Sequence, residues 1–448
     1  MPSSFHSFYH WSRVLYTLRT LRKNTWLSSA DLKKLQLQRL RDLLSYADAN
    51  VPFYHQRFKK ANFNPNDVKS LEDICKIPVL TKADVQNNFD SLISRRVDVA
   101  KCDKEVTSGS TGNPLTILAD KRSSHLMTAN RLRCYVENGG RLFKDKYALL
   151  TVVRQPVKRT AFGSLLTRFG FSKRVKFNTQ SPVSEVLDNL VNFGPDVIDS
   201  YPSFLILLAR ELEKSEKTIA PRLVFGFGEL LDDNSRKVIN SAFGTEIFDT
   251  YGCTEAGDIA WECSERIGYH INADLIAPEF VKDNEPVAAE ESGEILLTPL
   301  WNYAMPLIRY KIGDVGKPCD EVCSCGRGLP LMKIVEGRFE DFIVLPNGNI
   351  ISPLNNLTYF DKFECVTDYR IIQESREKLV LQVVLKEGYE ENSFQEFKDN
   401  FMKNFGEDMI IEVEVLESIP WKGKFRRVVS KILPREQLIL SGFPENAE

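Results

Sequence analysis

The sequence predicts an α/β chain in two parts: a large N-terminal domain of parallel sheets flanked by helices, and a small C-terminal α+β domain. Three observations point there. At 448 residues the chain is longer than one average domain. Between residues 147 and 249, short apolar runs alternate with helical periodicity, the order that parallel βαβ units require. Beyond Arg338 the pattern turns to hairpin and alternating-strand signals around one helix, which sets the division at 1–336 and 337–448.

The N-terminal segment, 1–60, is read as helical. Its start is basic and aromatic (Phe5, Phe8, Tyr9, Trp11, Trp26), with no acid before Asp31. That fits a helix packed on the domain with a solvated basic face, or contact with a membrane surface. From Ser29, leucines 32, 35, 37, 40, 43 and 44 recur at helical spacing to about Ala49, where Val51-Pro52 stops the helix. A short helix is expected at 65–74 and another capped by Thr81. Further on, 119–138, 183–194, 203–214 and a stretch from about Asp232 read as helices. Residues 147–153, 195–200, 223–228 and 247–249 read as strands. Ligands of parallel sheets sit beyond the carboxyl ends of the strands. The loops expected there carry Gly228-Glu229 and Tyr251-Gly252-Cys253-Thr254-Glu255. Residues 279–300 give strand signals, with hairpin chemistry at Glu291-Ser292-Gly293-Glu294. In the small domain, Pro346-Asn347-Gly348 marks a hairpin turn, followed by strands at 368–373 and 378–385, a helix at 393–404 and a strand at 410–416.

Composition narrows the function classes. Net charge is −2, which gives no global field for nucleic acid. No apolar run approaches the ~20 residues that span a bilayer. Arg13, Arg19, Arg22 and Lys23 interrupt any secretory pattern. Nine cysteines, an odd and unevenly placed count, argue for a reducing, cytoplasmic setting over a disulfide framework.

The stretch Thr107-Ser108-Gly109-Ser110-Thr111-Gly112-Asn113-Pro114-Leu115 is the centre of the chemical reading. Glycines let backbone approach a ligand, and hydroxyls add donors beside exposed N–H groups, as phosphate binding needs. No P-loop lysine follows Gly112, so a Gly/Ser linker is an equal reading of this stretch alone.

Read in order with Phe227-Gly228-Glu229-Leu230, Tyr251–Glu255, Arg309-Tyr310-Lys311-Ile312-Gly313-Asp314, Gly337-Arg338-Phe339-Glu340-Asp341 and Gly423-Lys424-Phe425-Arg426, the loop resembles that of the adenylate-forming superfamily. Residues 50–54, 77–82 and 305–310 make the phenylacetate–CoA ligase-like branch, which includes capsular polysaccharide CapK-like proteins, the nearest resemblance. The resemblance spans residues 30 to 435 or so. It implies an adenylate-forming large domain and a mobile C-terminal lid. It also implies ATP-dependent activation of a carboxylic acid to an acyl-adenylate, then acyl transfer to coenzyme A. An amine acceptor in surface-polysaccharide assembly and a non-catalytic nucleotide-binding scaffold stand as alternatives.

By the same resemblance, Glu255 binds Mg²⁺ and Lys424 bridges carboxylate and α-phosphate. Asp314 and Arg338 reach the ribose, Tyr251 stacks on adenine, Gly228, Glu229 and Asp249 lie near the base edge, and Thr254 meets the α-phosphate beside Gly252. Where the superfamily usually has an aspartate pivot this chain has Glu340, with Asp341 next, which leaves the hinge residue open. The acyl pocket is expected near Tyr201-Pro202-Ser203, Phe225-Gly226-Phe227 and Gly252-Cys253, whose aromatics suit an aryl acid or plain core packing.

Cys263, His270, Cys323 and Cys325 form a candidate Cys₃His zinc site, closed and structural, with Cys319 as a substitute ligand and unpaired thiols as the other reading. Oligomeric state is not readable from the sequence.

Overall fold

The computed structural model describes residues 2–106, 115–152, 173–179, 181–338, 343–346, 350–351, 365–389, 391–405, 409–419 and 428–431. The chain divides into two compact units, Met1–Gly228 with Asn240–Ile334, and Glu229–Ile239 with Val335–Glu448.

In the first unit, β1 (Asp103–Val106) and β2 (Thr116–Ala119) pair antiparallel, with Val106 opposite Thr116. The Gly/Ser stretch therefore joins two paired strands rather than two domains; residues 107–114 themselves lie outside the described residues.

The parallel strands are β3 (Lys146–Thr151), β4 (Lys173–Asn178), β5 (Val197–Ser200), β6 (Leu223–Phe227) and β7 (Ile247–Cys253). All four residues of β5 are buried, as a parallel strand covered on both faces requires. Helix Val183–Phe193 returns the chain to β5 and stops at Gly194, whose φ of 60° is the left-handed cap glycine favours. Pro202 starts helix Pro202–Lys214 after β5, because its missing N–H costs nothing in a first turn.

Here the sheet changes character. β7 does not stop at Asp249; it runs on through Cys253, and a three-residue connection leads into β8 (Gly257–Glu262). So short a turn can only make an antiparallel neighbour, since a parallel one needs a crossover of about a dozen residues or more. Tyr251-Gly252-Cys253 is therefore strand, not post-strand loop, paired with Ala260, Asp258 and Gly257 across a bulge. A Cβ on Gly252 would stand 2.6 Å from the Gly257 carbonyl oxygen, so this close approach requires glycine.

Beyond β8 the sheet continues through β9 (Tyr269–Ile271), β14 (Leu331–Arg338), β13 (Tyr310–Cys319), β12 (Gly293–Pro299), β10 (Ile276–Lys282) and β11 (Glu285–Pro286), twelve strands in the order 11-10-12-13-14-9-8-7-6-5-3-4. The parallel units expected between 147 and 249 make up one half of this sheet, and the other half is antiparallel. The tight hairpin turn is Asp283-Asn284, with φ of 52° and 69°, joining β10 to β11; Glu291 and Ser292 merely precede β12. The helix expected at 65–74 is two 3₁₀ turns, Pro65–Asp67 and Glu72–Lys76, each capped or closed locally.

Three distant segments meet at 305–310. The Tyr54 hydroxyl donates to the Pro306 carbonyl (3.0 Å) and accepts from the Ile308 N–H (2.9 Å). Arg309, fully buried at a φ of 53°, grips Glu279 with Nε (2.9 and 3.0 Å) and the carbonyls of Cys75 and Ile77 with Nη1 (2.9 and 2.6 Å). Leu80 then pairs with Tyr310 as a parallel bridge. The segments that carry the branch resemblance are one packed joint.

In the second unit, β17 (Val366–Ser375) and β18 (Lys378–Leu385) pair antiparallel, flanked by β19 (Ile410–Val415) and β20 (Val428–Ser430) in parallel. Phe397 and Phe401 of helix Glu391–Phe405 are fully buried in the same cluster as Ile371 and Leu381. β15 (Ile343–Val344) pairs with β16 (Ile350–Ile351), as the hairpin reading expects; the turn at 347–349 lies outside the described residues.

Candidate active site

The site residues of the first unit gather where the parallel half ends. Gly228 follows β6 at a φ of 76°, a left-handed turn that glycine takes without strain. On β7, the Tyr251 hydroxyl donates to Asp314 Oδ2 of β13 at 2.7 Å. Four residues on, Glu255 Oε1 accepts from the Tyr310 hydroxyl at 3.2 Å. β8, β9 and β14 separate β7 from β13 in the sheet. In a flat sheet that is roughly 19 Å, four spacings of about 4.8 Å. Two side-chain contacts across it mean that the antiparallel half curls over the end of the parallel half, and the concave side between them holds Tyr251, Glu255, Tyr310 and Asp314.

Tyr251 and Asp314, expected to face adenine and ribose, are thus in direct contact. Glu255 sits on the short β7–β8 connection, part-exposed and held from one side by Tyr310, which suits a cation ligand. Thr254 is beside it. Burial, with Glu255 and Asp314 adding their charge, pushes the Cys253 thiol well up, so it is an apolar wall rather than a nucleophile.

Asp249 is placed differently from the base-edge expectation. It is 3% exposed, its Oδ2 accepts from the Tyr269 hydroxyl (2.6 Å), and its N–H donates to Glu262 (2.9 Å). That carboxylate ties β7 to β9. Tyr269 and Glu262 stand in no motif, and Tyr310 stands in one without a role of its own, because a tyrosine's partner is set by the fold, not by spacing.

Of the acyl-pocket aromatics, Tyr201 and Phe227 meet at 4.8 Å between ring centroids, and Arg131 lies over Phe227 at 5.2 Å. Phe225 belongs instead to the core with Tyr135 and Phe248. Arg131 also binds Asp199 (3.1 Å), which accepts from Tyr147 (2.5 Å). Asp258, opposite Gly252, has its carboxyl raised by burial, with Arg131 opposing.

Ser108, Gly109, Ser110, Thr111, Gly112, Glu340, Asp341 and Lys424 lie outside the described residues. Arg338 ends β14, and Glu229 belongs to the second unit.

A second cluster stands behind β8 and β9. The ligand atoms of Cys263, His270, Cys323 and Cys325 lie within 4.8 Å of one another. Cys263 and Cys323 sulfurs are 3.6 Å apart, and Cys325 Sγ is 3.3 Å from His270 Nε2. These are edge lengths of a tetrahedron around Zn²⁺, given Zn–S near 2.3 Å and Zn–N near 2.0 Å. His270 Nδ1 lies 3.3 Å from the Leu329 carbonyl, which assigns Nε2 to face the sulfurs. Burial lowers His270 to about 4, which keeps the ring neutral, as a ligand must be. Cys319 is not in this cluster; it sits with Glu290 and Glu321, so it is no substitute ligand.

The fold matches the crystal structure of a 2-hydroxyisobutyryl-CoA ligase in its postadenylation state, TM-score 0.75 at 21% identity, over 93% of this chain and 92% of that one. The fold is shared with that enzyme, and the relatives make the chain a ligase of the adenylate-forming type. A phenylacetate–coenzyme A ligase of Escherichia coli K12 is 30% identical over 384 residues, 80% of this chain and 83% of the relative. The chain belongs to the phenylacetate–coenzyme A ligase family. Protein CapK of Staphylococcus aureus is 22% identical over 90% of each chain, and residues 343–431 match the family model of the CapK C-terminal domain.

Proposed function

We propose that this chain activates a carboxylic acid with ATP, releasing pyrophosphate, and passes the acyl group from the adenylate to coenzyme A. The contact between Tyr251 and Asp314 carries the reading, because it brings an aromatic ring and a carboxylate able to accept from ribose hydroxyls to one place. A carboxylate oxygen attacks the α-phosphorus, and the bond to the pyrophosphate oxygen breaks. Two anions must approach, so charge has to be neutralised first. Glu255 holds the Mg²⁺ that neutralises phosphate charge when bound, and Tyr310 fixes the carboxylate's orientation. Lys424 is assigned the bridge between attacking carboxylate and α-phosphate, and Ser108–Gly112 the outer phosphates. Tyr201 and Phe227 supply flat apolar walls for the acyl group, with Arg131 at the rim. Cys263, His270, Cys323 and Cys325 hold a structural Zn²⁺, supported by their tetrahedral spacing.

A second reading concerns the acceptor alone. The acceptor would then be an amine, giving an amide in surface-polysaccharide assembly; the likeness of residues 343–431 to the CapK C-terminal domain is what keeps this reading in play. Supplying carboxylates with coenzyme A or amines, and following AMP release with product mass, separates the two. A thioester supports the first; an amide with coenzyme A ignored replaces it by the second.

A further inference from the structure

Away from this site, three helices of the first unit enclose a cavity of about 200 Å³. Each contributes a guanidinium: Arg13 from helix Pro2–Thr25, Arg39 from helix Ser29–Asn50, and Arg122 from helix Lys121–Glu137. Thr17 and His125 also line it, and Tyr16, 71% exposed, stands at its mouth. No Asp or Glu among the described residues lines it.

Three cations converging without a carboxylate repel one another unless an anion joins them. Asp274, the acid that acts on Arg39, is already committed: Arg133 holds one oxygen at 2.9 Å and Asn24 the other at 2.9 Å. Arg39 spends Nη1 on the Asp274 backbone carbonyl. Arg13 and Arg122 make no ion pair or hydrogen bond among the described residues. Burial, then His10, Arg13 and Lys121, pushes the His125 imidazole down, with Asp103 opposing.

We propose that this cavity is a binding site for a phosphate group, contacted by Arg13, Arg39 and Arg122. Forked guanidinium donors match phosphate oxygens, and Thr17 and His125 add polar contacts of lower charge. The volume is below the roughly 300–1,000 Å³ of a drug-sized pocket, so it takes a phosphate or diphosphate rather than a whole nucleotide. The group comes from a free phosphate-bearing molecule or from a lipid headgroup; exposed Tyr9 and Tyr16 on the same helix are the sort of side chains that meet a membrane interface.

The test uses the full chain. Calorimetric titration with inorganic phosphate, and sedimentation with phosphatidylglycerol against phosphatidylcholine vesicles, are run on the wild type, on the double variant Arg13→Gln/Arg122→Gln, and on Glu255→Gln. Both arginines are exposed and neither is among the proposed catalytic residues, so melting temperature without phosphate should be unchanged and serves as the folding control. Phosphate binding that falls about tenfold or more in the double variant and persists in Glu255→Gln supports the site. Vesicle binding lost in the double variant, with or without free phosphate binding, supports it and names a headgroup as the source. Equal binding by wild type and double variant, or no binding to either probe, overturns it.

Discussion

Tyr251 and Glu255 are where the chemistry is most exposed to a single substitution. Tyr251→Phe keeps the ring and deletes the 2.7 Å bond to Asp314, a hydrogen bond to a charged group worth about 1.5–3 kcal/mol. The expected result is a rise of about tenfold or more in KM for ATP with a small change in kcat, measured by steady-state kinetics. Glu255→Gln removes a charge from the proposed metal ligand, and a loss of about 10²-fold or more in kcat is expected, partly restored by raised Mg²⁺. These two residues, with Asp314, were legible because they stand in ordered motifs. Asp249 reads in the sequence as a base-edge residue; that its carboxylate is covered by Tyr269 follows from the β7–β8–β9 path, which the sequence does not spell out.

At the scale of elements, Arg309 has the largest predicted effect on stability. Arg309→Met leaves Glu279 buried with no partner, and burial already raises that carboxyl against the pull of Arg309. A loss of about 3–5 kcal/mol in urea denaturation is expected, with the 77–80 segment released first in hydrogen exchange. The metal cluster is a second such point. The loop after Cys325 meets the end of the N-terminal helix, where the Gly328 N–H donates to the Thr25 carbonyl at 3.0 Å. A Cβ at Gly328 would lie 1.7 Å from the Leu27 carbonyl oxygen. Elemental analysis should find about one zinc per chain, and Cys325→Ser should lose it and lower the melting temperature. Parallel strands were readable as buried apolar runs between helices. The antiparallel half was not: Gly313, Gly316 and Pro318 break the alternation of β13, and the pairing of β14 with β9 is nonlocal.

At the scale of the whole molecule, the resemblance from residue 30 onward and the family relationship agree, and no helix among the described residues is long and apolar enough to cross a membrane. Two compact units share the chain, and the proposed chemistry draws on residues of both. Its central claim is that the protein adenylates a carboxylate before any acceptor enters. The most direct measurement is exchange of labelled pyrophosphate into ATP, with a panel of aryl and aliphatic carboxylates and no coenzyme A or amine. The account predicts exchange that depends on one class of acid and on Mg²⁺, and that falls to background in Glu255→Gln and Lys424→Ala. Exchange that survives Lys424→Ala would contradict the lysine's role; thioester or amide formation with no acid-dependent exchange at all would contradict the adenylate itself.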